Sequence, residues 1–203
     1  MRAFSKELYE ESKRRILRAA LEICAQEGFE GMTIEKLARR LGQTKPALYH
    51  YFKNKNDLLI HLTRQYLEQA NREISRILRQ GEGNHSDRLQ RLLEYYITQG
   101  REEPGYFYLE HHINNLLGIL PPSPEKEEIH RLSSKIPKLI MQFIEEGIAG
   151  GSFIALDPMT MGTLILSMLS GVLLHGGMPG IRRMPPTDLS RMVSRIIMKG
   201  VQP

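Results

Sequence analysis

Cysteine is nearly absent: Cys24 is the only one in 203 residues. A lone thiol cannot close an internal disulfide, so a reducing compartment, the cytoplasm, is expected. No apolar stretch of signal-peptide length opens the sequence, which begins Met-Arg-Ala-Phe-Ser-Lys-Glu and soon becomes charged. Secretion is therefore not expected. Internal repeats, low-complexity tracts and runs of strand-like alternation are missing too, and the apolar spacing is helical nearly everywhere. There is no Ser elbow, no Gly-rich phosphate loop after a strand and no Cys/His ligand spacing. An enzyme is not expected, and no cofactor or metal is called for.

Charge is missing from one long stretch. From Pro158 to Ile181 there is no Asp, Glu, Lys or Arg. That length matches a membrane span. Thr160, Gly162, Thr163, Ser167, Ser170, Gly171, His175, Gly176 and Gly177 interrupt it, so a buried or helix-packing segment fits better and no membrane partner is expected. Over the full sequence apolar residues make up 41%, enough for a core. The charge is placed unevenly: residues 1–56 carry 12 Lys and Arg against 7 Asp and Glu, and the remainder carries 16 of each. The whole basic excess sits in the first quarter, where it makes a field that attracts phosphate backbones.

The spacing predicts an all-α chain of about nine helices. The first runs from Ser5 to Glu27 with Ile16, Ala20, Ile23 and Cys24 on one face, and Gly28 ends it in a left-handed cap. Thr33 caps a second helix that ends near Leu41 before Gly42, and a third spans Lys45 to Tyr51. Asn54 and Asp57 form a capping signal for a long fourth helix with the stripe Leu58, Leu62, Tyr66, Ala70, Ile74 and Ile77. A fifth turns Leu89, Leu92, Leu93 and Tyr96 inward, and Pro104 or Gly105 opens a sixth. A seventh runs from Pro124 to Gly150, bent at Pro137. The eighth starts at Asp157-Pro158 and stops at Gly176-Gly177. The ninth places Leu189, Met192, Val193 and Ile196 on one face and a solvated Arg191, Arg195 and Lys199 on another.

The informative segment is Thr33 to Lys55. Two short helices joined by a tight turn pack at a steep angle, which needs a small residue in the first and a glycine at the turn. Ala38 and Gly42 stand at that spacing, and Leu37, Leu41 and Leu48 supply the wedge. The second helix then projects as a probe for the major groove. Thr44 can cap it or reach DNA, and Lys45 can reach a phosphate or a guanine edge. Pro46 and Ala47 form a close apolar surface for a thymine methyl. Tyr49, His50 and Tyr51 offer donors to phosphates, and Lys53 and Lys55 can neutralise the backbone. Phe52 is assigned to the core, and Tyr51 is divided between core and DNA.

Leu48-Tyr49-His50-Tyr51-Phe52-Lys53-Asn54-Lys55 resembles the recognition-helix signature of TetR-type repressors (the TetR/AcrR family). Thr33-Ile34-Glu35-Lys36-Leu37-Ala38, Gly42 and the upstream Glu27-Gly28-Phe29 agree with it. The resemblance covers residues 12–60. Gln43 departs from it, standing where the family commonly has an aliphatic residue, and places an extra polar group near DNA. The resemblance implies residues 1–54 as a helix-turn-helix DNA-binding domain and 55–203 as a helical effector-binding and dimerisation domain. It implies a homodimer through the last two long helices, with close approach at Gly162, Ser167, Ser170 and Gly171 and burial from Leu164, Leu166, Met168, Leu169, Leu173 and Leu174. It also implies a small apolar or amphipathic effector, for which Tyr66, Tyr96, Phe107, His111, Phe143, Met168 and His175 are the candidate lining. Such residues at helical spacing also make ordinary core. His111 and His112 are adjacent on a helix, point about 100° apart and do not suit one ion. The expected function is a DNA-binding repressor released by a small molecule: effector binding shifts the fourth helix and spoils the spacing of two DNA heads. The rival is a helical protein–protein adaptor with a basic head.

Overall fold

The structure, a computed structural model, describes residues 2–175 and 178–202. The stop expected at Gly176-Gly177 lies outside the described residues. Among the described residues there are eleven helical segments and no strand. The chain gathers into two units: residues 1–67 with 105–131, and residues 68–104 with 132–203.

The first unit is built on α1 (Arg2–Gly31), whose Ile16, Ala20, Ile23 and Cys24 are buried as the spacing predicts. Gly28 breaks α1, but not with the expected αL geometry: its φ of 75° and ψ of 174° lie in a region open only to glycine. One further turn follows before α2 (Ile34–Leu41). The break leaves the Phe29 N–H without a helical acceptor, and it donates to the Tyr108 hydroxyl at 3.2 Å. α3 (Lys45–Tyr49) is two residues shorter than predicted, so His50 and Tyr51 lie just beyond it. α4 (Lys55–Gln80) buries Leu58 and Leu62 here and carries on into the second unit with Ala70, Ile74 and Ile77 buried. α6 (Pro104–Ile119) buries Leu109, Ile113 and Leu116. It lies so close to Leu21 that a Cβ on Gly105 would sit 2.5 Å from that side chain. α7 (Pro124–Ser133) closes the unit.

In the second unit α5 (His85–Glu102) is central, with α8 (Lys135–Ala149), α9 (Pro158–Leu174) and α11 (Pro186–Val201) packed on it. Its Leu89, Leu92, Leu93 and Ile97 are buried, each contributing about 1.5–3 kcal/mol relative to exposure. Tyr96 is only partly buried against the same cluster. The single seventh helix predicted to bend at Pro137 is two helices, α7 and α8, parted at Ser134. Proline cannot donate to the Ser133 carbonyl and its ring crowds that carbonyl, so the break falls one turn before the ring. A short α10 (Pro179–Arg182) was not anticipated.

The largest departure is the orientation of α11. Leu189 and Val193 are buried as expected, but with Ile197 and Val201, whereas Met192 and Ile196 are 44% and 62% exposed. This helix therefore has two apolar faces. α9 repeats the pattern: Met161, Ile165 and Leu169 are buried, while Met159, Leu164, Leu166, Met168 and Leu174 are exposed. No helix among the described residues is long and apolar enough to cross a membrane.

Candidate nucleic-acid interface

Capping chemistry fixes the two short helices. Thr33 Oγ1 accepts the Lys36 N–H at 3.2 Å and opens α2. Gly42, at φ 63° and ψ 30°, ends it in αL, and the Gln43 N–H reaches back to the Ala38 carbonyl at 2.9 Å. Thr44 Oγ1 accepts the Ala47 N–H at 3.4 Å, with Pro46 in the first turn of α3. Thr44 thus caps α3, as expected. Asn54 Oδ1 accepts the Asp57 N–H, and the Asp57 carboxylate reaches back to the Lys53 N–H, both at 2.8 Å. This reciprocal pair anchors the chain as it leaves the candidate interface.

Burial then sorts the side chains. Leu48 and Phe52 are buried, and Phe52 also lies 5.7 Å beneath the Lys13 ammonium. Thr33, Thr44, Lys45, Pro46, Tyr49, His50 and Lys53 are exposed, and Ala47, Tyr51 and Lys55 are half-buried. Tyr51 stacks on Tyr9 of α1 with ring centroids 4.9 Å apart, and His50 sets its ring at 81° to the same tyrosine, 6.1 Å away. The divided reading of Tyr51 therefore leans to packing. Lys55 Nζ donates to the Glu30 carbonyl at 3.5 Å. Gln43 is half-buried, and its side-chain oxygen is enclosed without a hydrogen-bond partner. It does not present that oxygen as the extra surface group expected from the sequence.

The electrostatics are more structured than a count of charges suggests. Lys45 pairs with Glu35 at 2.9 Å, Arg40 with Glu22 at 2.6 Å, and Lys36 with Glu27. Lys53 makes no ion pair among the described residues. The hydrogen bond and charge of Lys45 hold the Glu35 carboxyl below the usual carboxylate range, with Arg39 adding to the effect. Burial pushes the Cys24 thiol up to about 12 against a smaller opposing pull from Lys55, so the thiol is neutral and inert at pH 7. Burial also raises the Tyr108 phenol.

Sequence reasoning missed Tyr9 and Glu35. Tyr9 lies far from the motif along the chain, and Glu35 is separated from Lys45 by a turn that breaks helical periodicity. Only the three-dimensional angle between α2 and α3 brings the pair together.

Residues 16–62 match the family of bacterial regulatory proteins described as the tetR family, the stretch that holds α2, α3 and their supports. Over these residues the head of the chain is similar to TetR-type proteins. The transcriptional repressor NemR of Escherichia coli K12 is 28% identical over 86 residues, 42% of this chain and 42% of NemR. The class C tetracycline repressor protein of Escherichia coli is 52% identical over 44 residues, 22% of this chain and 20% of that one. The chain thus matches these TetR-type relatives over less than half of their length. The likeness of the remainder is one of fold. The ketosteroid transcriptional regulator KstR2 of Mycobacterium tuberculosis superposes with a TM-score of 0.79 at 18% identity, over 95% of both chains. FadR of Bacillus subtilis, solved with stearoyl-CoA, gives 0.68 at 19% identity, over 93% of this chain and 99% of that one.

Beyond the TetR-type head, the seven candidate effector residues fall in both units. In the first, the Tyr66 hydroxyl donates to Glu110 at 2.9 Å and its ring stacks on Tyr106. Phe107 packs on His111, whose Nδ1 lies 3.0 Å from the Phe107 carbonyl. His112 likewise turns Nδ1 to the Tyr108 carbonyl at 2.8 Å. In the second unit Phe143 is core, between His85 and Phe153, with the Arg88 guanidinium 5.5 Å from its ring. Met168 is exposed, and His175 caps the end of α9. A groove of about 480 Å³ in that unit contains none of the seven. Its lining includes Ser86, Gln90, Arg191, Arg195 and Lys199, and the three cations are exposed, as the helical spacing predicts.

Proposed function

We propose that this protein is a dimeric DNA-binding transcriptional repressor whose hold on its operator is released by a small apolar or amphipathic effector. One observation supports this most: α3 is a short, exposed helix, seated on buried Leu48 and Phe52, with Lys45, Tyr49, His50 and Lys53 outward. Lys53 and Tyr49 would meet phosphates, and Lys45 with the Pro46–Ala47 surface would read base edges. The functional division at residue 54 follows from this reading: residues 1–54 bind DNA, and residues 55–203 assemble the dimer and hold the effector.

The dimer is inferred from apolar surface. Leu164, Leu166 and Met168 of α9 and Met192 and Ile196 of α11 are exposed on helices whose other faces already fill the core. Large apolar side chains left exposed on two such helices point to an interaction site. A twofold pair would set two α3 helices about 34 Å apart, one turn of DNA, or a multiple of it. Repression is relieved when the effector binds the DNA-incompetent arrangement better than the competent one, since equal affinity shifts nothing. α4, which contributes residues to both units, would carry that change. FadR with stearoyl-CoA is a relative in fold that takes an amphipathic ligand.

The test is selection of bound duplexes from a random pool with the full chain. Recovery of a two-fold symmetric sequence supports the reading. Recovery of unenriched sequence at every salt concentration would point instead to a protein-binding adaptor.

A further inference from the structure

We propose that Glu35 sets the sequence specificity of the DNA interface by acting through Lys45, holding that ammonium from phosphates and yielding it only where a base pair complements them both. The inference rests on the DNA-binding reading above. Lys45 is the only charged residue of α3, and it stands at the start of that helix. Its partner Glu35 lies in the first turn of α2, with Nζ and Oε2 2.9 Å apart. Both side chains remain open to solvent, at 51% and 71% exposure. Among the described residues the other two ion pairs of the head join α2 to α1, so this is the pair that reaches the recognition helix. The Glu35 carboxyl is held below its ordinary range by Lys45, so it is ionised at neutral pH and its formal charge offsets that of the lysine.

The consequence differs between random and matching DNA. A phosphate attracts a free lysine whatever the sequence. A carboxylate bound to the same ammonium faces that phosphate too and is repelled, so the pair gains little from backbone alone. A G·C pair offers a different partner in the major groove. Guanine O6 and N7 accept from an ammonium, while the cytosine amino group donates to a carboxylate. An ammonium–carboxylate pair is the complement of that edge. Glu35 therefore lowers affinity for random duplex more than for a site with a G·C pair beneath α3.

Glu35→Gln tests this in the full chain, with binding measured by fluorescence anisotropy on a random duplex and on the duplex selected above. Random-duplex affinity should rise about two- to fivefold, the range of an exposed ion pair, and its salt slope should steepen by about one per head. Affinity for the selected duplex should rise less or fall, so discrimination narrows. In a Lys45→Gln background, Glu35→Gln should leave discrimination unchanged. Glu35→Asp, which keeps the charge, should retain most of it. Glu22→Gln removes a carboxylate from the same head without touching Lys45, and it should shift both duplexes equally. An equal shift on both duplexes with Glu35→Gln, or the same narrowing in the Lys45→Gln background or with Glu22→Gln, overturns the inference while leaving DNA binding intact. A wild-type chain that binds no duplex overturns the function itself.

Discussion

Gln43 holds its side-chain oxygen buried and without a partner beside the turn that joins α2 to α3. A buried acceptor left unpaired forfeits its hydration, a loss of about 1–3 kcal/mol. Gln43→Val should therefore raise stability by about 1 kcal/mol, read from urea unfolding, with DNA affinity within a factor of about two. A large loss of DNA affinity with unchanged stability would show instead that Gln43 reaches DNA. At this scale the sequence is readable wherever the chemistry is local. Thr33, Thr44 and Asn54 cap the N–H groups three residues ahead because a short oxygen-bearing side chain can reach no farther. The Tyr9–Tyr51 stack and the Glu35–Lys45 pair are not readable that way, since their partners meet only after the helices have packed.

Two glycines end neighbouring helices by different means, and the difference is measurable. Gly42 is in αL with open space where a Cβ would stand. Gly28 adopts a conformation open only to glycine, and its Cβ would lie 3.2 Å from the Tyr108 hydroxyl that holds the Phe29 N–H. Gly42→Ala should lose about 1 kcal/mol. Gly28→Ala should lose about 2 kcal/mol or more, with the order of the two reversed only if α1 runs unbroken past residue 28. Thermal or urea unfolding gives both values. Periodicity revealed the helices because each buries one stripe, as Ile16, Ala20, Ile23 and Cys24 do in α1. It failed for α11, where apolar residues on two faces leave the phase undetermined: Leu189 and Val193 turn inward and Met192 and Ile196 outward. Pro137 announced a disturbance, but not that the helix would part at Ser134.

For the whole molecule, the grouping of residues 105–131 with the N-terminal head could not be read from spacing, because it depends on contacts between segments remote in the chain, such as Gly105 with Leu21. The doubled apolar faces of α9 and α11 make a prediction at this scale. Leu164→Asp with Ile196→Asp places charge on exposed positions, so the fold should survive while the proposed dimer gives way to monomer in light scattering. DNA affinity should fall at least a hundredfold as the second head loses its tether. A variant that stays dimeric would assign the interface elsewhere. The central claim is that α3 is a DNA-reading helix, and the most direct measurement is anisotropy of the full chain on the selected duplex and a scrambled one at rising salt. The account predicts a preference of about a thousandfold or more for the selected duplex and a steep, linear fall of log affinity with log salt. Equal affinity for the two duplexes, or affinity indifferent to salt, would contradict it.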